Sequence, residues 1–189
     1  MRSTITTDKR GLRKLVKEYY VTETDRSQSD RQLAQRFLAL PQVREACSIL
    51  LFYGVGTEPD TRPILDALFQ SGKQVSLPHC LPGNQMEARL YRGPEHCVTG
   101  AYDIVEPDEG SPVMPRDRID LILVPDLLCD RRGYRLGHGA GYYDRYLVGF
   151  TGFTVALCRD ALLRDAIPTD QYDIPMDLIL TETQCLSIS

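Results

Sequence analysis

Apolar residues recur along the chain in two different periods. Between residues 8 and 20, Leu12, Leu15, Val16 and Tyr19 fall at helical spacing among Lys9, Arg10, Arg13, Lys14 and Lys17, which predicts an amphipathic helix with a basic face. A second helix is predicted over residues 29–40, where Leu33, Phe37 and Leu40 share a face and Pro41, which has no amide donor, follows at its end. The period then changes. Residues 48–53 form a short apolar run closed by Gly54, the pattern of a strand buried on both faces, and similar runs follow at 74–77, 121–124, 153–157 and 178–180. Helix-compatible stretches at 60–70 and 141–147 lie between several of these runs, so the alternation predicts an α/β fold with a largely parallel sheet flanked by helices, a Rossmann-like three-layer sandwich. Residues 82–118 are richer in Pro, Gly and charge, hold one short candidate strand at 88–91, and read as an irregular insertion or edge. No internal repeat or low-complexity segment interrupts this order.

Composition narrows the classes of function. A chain of 189 residues with 42% hydrophobic content can bury one sizeable core, so a single domain over residues 1–189 is expected, and a monomer. The net charge of -4 supplies no general field for nucleic acid, so an anionic ligand must meet a local basic patch. Cys47, Cys80, Cys97, Cys129, Cys158 and Cys185 lie far apart without a Cys-x-x-Cys pair, which disfavours a structural zinc site and suits a reducing, cytoplasmic setting. No apolar leader opens the sequence and no run of about 18 apolar residues occurs in it, so neither export nor a membrane partner is expected.

The chemistry is concentrated after the run at 121–124. Ligands in open α/β sheets bind beyond the carboxyl ends of strands, where Pro125 and Asp126 begin a long loop. Gly137, Gly139 and Gly141 alternate just before a predicted helix, so backbone N–H groups can approach an anion unobstructed and the helix terminus adds partial positive charge. The run matches neither Gly-x-Gly-x-x-Gly nor a Walker loop, and glycines alone read equally well as a flexible turn. Arg131, Arg132 and Arg135 add guanidinium groups nearby, and Asp144 falls one turn into the helix, where a carboxylate could hold magnesium against phosphate oxygens. A solvated charge run is the alternative for those arginines.

Asp130, Gly133, Arg135, Leu136, Gly137, Gly139, Gly141, Tyr142, Tyr143 and Asp144 together closely resemble the signature Asp-x-x-Gly-x-Arg-Leu-Gly-x-Gly-x-Gly-Tyr-Tyr-Asp of the 5-formyltetrahydrofolate cyclo-ligase family. The resemblance extends in order through Lys9 and Arg13, Glu58-Pro59-Asp60-Thr61, Ile104-Val105-Glu106-Pro107 and Asp173-Ile174-Pro175-Met176-Asp177, and is loose only over residues 82–118. It implies an ATP- and Mg2+-dependent enzyme that closes 5-formyltetrahydrofolate to its 5,10-methenyl form, releasing ADP and phosphate. It also implies site residues. ATP, as co-substrate, would lie between Lys9 and Arg13, which share a helix face, and the loop Gly137, His138, Gly139, Ala140, Gly141, Tyr142, Tyr143 and Asp144, with Arg135 beside it. Magnesium would be held by Asp144 and Asp177, and the folate by Glu58, Tyr53, Tyr142 and Tyr143, with Arg135 and Tyr143 nearest the chemistry.

The sequence departs from the family pattern at Ala140, where glycine or lysine is usual, His138, where arginine or an aromatic is common, and Cys129, where phenylalanine is common. Tyr172 stands where histidine is frequent, and His79 where a basic residue such as arginine is. Ala140 keeps its backbone donor and can cradle phosphate unless the position needs a positive φ. Two other functions stay open at this point: a catalytically silent folate- or nucleotide-binding paralogue, and a sugar-phosphate isomerase on a related fold.

Overall fold

The computed structural model describes residues 8–100 and 104–188. Its central sheet has eight strands in the order β13-β12-β10-β7-β1-β2-β3-β6. The middle of the sheet is parallel: β1 (Ser48–Leu50) lies between β2 (Gln74–Leu81) and β7 (Leu121–Val124), and β10 (Phe153–Leu157) joins β7 to β12 (Leu178–Leu180). Antiparallel strands finish both edges, with β3 (Gln85–Leu90) and β6 (Val113–Met114) beyond β2, and β13 (Cys185–Ser187) beyond β12. The stretch at 82–118 is therefore the antiparallel edge, to which β4 (Cys97–Thr99) and β5 (Val105–Pro107) add a small ribbon.

Alternation along each parallel strand divides the interior in two. Ile49, Leu51, Leu121, Leu123, Val155, Leu157, Leu178 and Leu180 face one layer, where α2 (Ser27–Ala39), α3 (Pro41–Glu45) and α4 (Arg62–Gln70) supply Leu33, Phe37, Val43 and Leu65. Leu50, Ile122, Val124, Ala156 and Ile179 face the opposite layer, where α1 (Lys9–Thr22) supplies Leu12 and Val16 and α5 (Tyr142–Leu147) supplies Leu147. These are the three layers that the alternation predicts. Leu40, with φ -60° and ψ 134°, breaks α2 from α3 because the residue before Pro41 is pushed out of helical geometry.

A second, three-stranded sheet places β8 (Leu128–Asp130) between β9 (Arg135–Leu136) and β11 (Leu163–Arg164). The β8–β9 turn is organised by Asp130, whose fully buried carboxylate accepts from the backbone amides of Arg132 at 2.9 Å, Tyr134 at 3.1 Å and Ile167 at 2.9 Å. That turn delivers Arg135 and the glycine loop to the carboxyl ends of the parallel strands. Among the described residues, no helix is long and apolar enough to cross a membrane.

Candidate active site

A cleft of about 1290 Å3 opens at those carboxyl ends, lined by segments following β1 and β7, the start of α1, the glycine loop and residues 170–174. The loop forms one wall because its neighbours fasten it there. Arg13 Nε donates to the Gly137 carbonyl at 3.0 Å, His138 Nε2 lies 3.2 Å from Glu58 Oε1, and Arg145 donates to the carbonyls of Asn84 at 3.0 Å and of Ala140. Gly139, at φ 111°, sits so close to Arg13 that a Cβ there would lie 3.3 Å from the guanidinium. Gly141, at φ 71°, turns the chain into α5. Ala140 is not among the residues with positive φ, so its methyl fits the loop without backbone strain.

Arg135 is the best-protected charge in the cleft. Its side chain is 4% exposed, Nη2 donates to Asp144 Oδ1 at 2.8 Å, and its Nε is buried with no partner. The guanidinium carbon lies 5.9 Å from the centre of the Tyr143 ring. The Tyr143 hydroxyl is likewise buried and unpartnered. Burial pushes that phenol well above its ordinary range, the negative charge of Glu58 adds to the effect, and Arg135 opposes it, so the hydroxyl keeps its proton. Two buried donors in one wall without a protein partner mark a place where an oxygen-rich ligand gains hydrogen bonds that the chain itself does not supply.

Glu58 is anchored by the Val55 amide, which donates to Oε2 at 3.1 Å, and its side chain is 9% exposed. Tyr53 and Tyr142 line the same cleft. Tyr142 shares a side-chain hydrogen bond with Cys80, whose thiol burial, helped by the charge of Glu106, pushes up to about 11. On another wall, Lys9 Nζ donates to Asp173 Oδ2 at 2.6 Å and to Asp170 Oδ2 at 2.8 Å.

Lys9, Arg13, Tyr53, Glu58, Arg135, the loop 137–141, Tyr142, Tyr143 and Asp144 thus come together in one cleft. Asp177 does not. It precedes β12, and its Oδ2 accepts from the amide of Thr154 at 2.8 Å and its hydroxyl at 2.7 Å, at the amino-terminal edge of the parallel strands. The chain crosses the sheet between 173 and 177, so the carboxylate that reaches the cleft is Asp173, whose membership in the same short motif was its only signal in the sequence. Arg131 and Arg132 also point elsewhere, the first to Gln184 and Asp165, the second to Asp130 and the Ile167 carbonyl. Helix α5 has only six residues and begins at Tyr142, directly after Gly141. Asp126, just behind the cleft, carried no motif signal. Burial pushes its carboxyl up to about 7, against a Cys129 hydrogen bond and the Arg135 charge.

A family model described as the 5-formyltetrahydrofolate cyclo-ligase family matches residues 5–182. The 5-formyltetrahydrofolate cyclo-ligase of Mycolicibacterium smegmatis is 36% identical over 147 residues, covering 71% of this chain and 73% of the relative. The cyclo-ligase of Escherichia coli K12 is 28% identical over 170 residues, covering 87% of this chain and 93% of its own. The solution structure of Aquifex aeolicus 5,10-methenyltetrahydrofolate synthetase superposes with a TM-score of 0.84 at 29% identity, covering 95% of this chain and 92% of that one.

Proposed function

The chain belongs to the 5-formyltetrahydrofolate cyclo-ligase family, and on that premise we propose that it is a cytosolic, monomeric enzyme that uses ATP to close 5-formyltetrahydrofolate to 5,10-methenyltetrahydrofolate. The observation that carries this reading is the pair of buried, unpartnered donors, Arg135 Nε and the Tyr143 hydroxyl, in one wall of a cleft that also holds Lys9 and Arg13. A formyl oxygen and a transferring phosphoryl group are the acceptors such donors suit.

In the reaction, the formyl oxygen attacks the terminal phosphorus of ATP and ADP leaves. The neighbouring folate nitrogen then attacks the activated carbon, phosphate departs with the former formyl oxygen, and that nitrogen loses its proton. No protein nucleophile is needed, so the residues act by alignment and by stabilising charge. Arg135 and the amides of Gly139 to Gly141 face the phosphoryl group, with Lys9 and Arg13 on the nucleotide side. Tyr143, kept protonated by burial, donates to the formyl oxygen or its phosphorylated form. Glu58 accepts from the pterin N–H groups, and Tyr53 and Tyr142 cover the ring.

The donor set fits magnesium at Asp144 and Asp173, hard oxygen ligands in the same cleft, each already balanced by a cation. Bound there, magnesium would neutralise and orient phosphate oxygens. The free state of all six cysteines accords with a reducing compartment. Coupled measurement of ADP tests the reading: release should require 5-formyltetrahydrofolate and match the folate consumed. ADP release that ignores the folate, or none at all from folded protein, would sink it.

A further inference from the structure

The Lys9 ammonium has no proton left for a nucleotide. Its Nζ contacts Asp170 Oδ2 at 2.8 Å, Asp173 Oδ1 at 2.8 Å and Asp173 Oδ2 at 2.6 Å, three carboxylate oxygens for three donors. The two carboxylates are held independently of the lysine. Asp173 Oδ2 accepts from the Asp170 amide at 2.7 Å, and Asp170 Oδ1 from the Tyr172 amide at 2.9 Å, so the acidic turn keeps its shape if its cation is exchanged.

A free nucleotide reaching for Lys9 would find all three of its donors taken and would have to displace a carboxylate to gain one. A divalent cation arriving with the nucleotide and held by Asp144 and Asp173 removes the obstacle, because it takes Asp173 from Lys9 and leaves only Asp170 to compete with the phosphates. Resting on the nucleotide reading above, we propose that Lys9 is a placeholder cation held by Asp170 and Asp173, and that this makes the site select the metal–nucleotide complex over free nucleotide. Asp170 is the specificity-determining residue in this scheme. Arg13, one helical turn on, is bound instead to the Gly137 carbonyl and keeps α1 docked while Lys9 changes partners.

The test is calorimetric titration of ATP into the full chain without folate, so that no turnover occurs, once with excess magnesium and once with EDTA. Asp170→Asn keeps an oxygen for the Tyr172 amide while weakening the hold on Lys9, and Asp170→Ser repeats the test should the asparagine variant misfold. We expect Asp170→Asn to tighten binding of metal-free ATP about fivefold, the size of one partly exposed ion pair, with a smaller change in magnesium. In a Lys9→Met background the same substitution should change nothing, because there is no lysine to release. The inference is overturned if Asp170→Asn leaves metal-free binding unchanged. It is equally overturned if the gain persists without Lys9, which would make Asp170 a simple repulsive charge, or if wild type binds ATP equally well with and without metal. Wild type that binds no nucleotide under either condition would remove the nucleotide reading itself, and this inference with it.

Discussion

Replacing Asp130 with Asn changes one atom and should cost much of the stability of the chain. The carboxylate is fully buried, and both its oxygens are in use. Oδ1 accepts from the amides of Arg132 at 2.9 Å and Tyr134 at 3.1 Å. Oδ2 accepts from the Ile167 amide at 2.9 Å and from the Arg132 guanidinium at 3.0 and 2.7 Å. Whichever way the new amide turns, its NH2 group faces at least two donors. A buried N–H left without an acceptor costs about 1–3 kcal/mol, and the Arg132 side chain, 47% exposed, regains water and adds about 1 kcal/mol or less. The sum is about 1–4 kcal/mol. With a urea slope of about 2 kcal/mol/M for a chain of this size, the midpoint should fall by about 0.5–2 M. Urea denaturation followed by far-ultraviolet circular dichroism at neutral pH measures it. A midpoint within about 0.3 M of wild type would refute the claim that Asp130 organises the β8–β9 turn.

Tyr143→Phe removes a buried hydroxyl without a partner, so it should leave stability unchanged or raise it by up to about 1 kcal/mol, while turnover falls about tenfold or more; thermal melts and steady-state rates together check this opposition. Arg135→Met should keep the urea midpoint near wild type, because Asp144 is 27% exposed and can hydrate, yet lower turnover about 100-fold; a variant with wild-type rates removes Arg135 from the chemistry. Asp126 provides a test in pH. Burial pushes its carboxyl up to about 7 in the folded chain, against about 3.9 when unfolded, so the native state holds the extra proton between those values. Its contribution to stability is therefore complete below about pH 4 and lost as pH rises through about 7. Asp126→Asn escapes that loss, so its stability relative to wild type should improve by about 2–4 kcal/mol between pH 4 and pH 8. A difference independent of pH, read from urea midpoints, contradicts the buried acid.

The sheet was legible in the sequence because burial on both faces leaves uninterrupted apolar runs, and β7, β10 and β12 occupy the runs at 121–124, 153–157 and 178–180. Their order across the sheet was not, since periodicity contains no pairing. The short strands β8, β9, β11 and β13 escaped notice because two or three residues are too few to show a period. Strand β3 begins at Gln85, three residues before the run at 88–91, because Gln85 and Glu87 occupy its polar positions. Within the site, the loop 137–144 could be read from its glycines and its family signature. Asp173 and Asp177 could not be told apart on spacing: both are aspartates in one five-residue motif, and only the path of the chain across the sheet sends the first into the cleft and the second to the far edge. The same limit applied to Arg131 and Arg132, whose charges the fold uses in holding the turn to residues 165–167 and 184. The clamp of Asp170 and Asp173 on Lys9 joins residues more than 160 positions apart, and no local pattern announces it.

The most direct test of the proposed activity is the absorbance of the methenyl-folate band after mixing the purified chain with 5-formyltetrahydrofolate, ATP and magnesium, with each component omitted in turn. Growth of the band only in the complete mixture, with ADP released in equal amount, is the predicted result. A folded protein that binds ATP and folate yet produces no band would contradict it and leave a binding protein built on the cyclo-ligase fold.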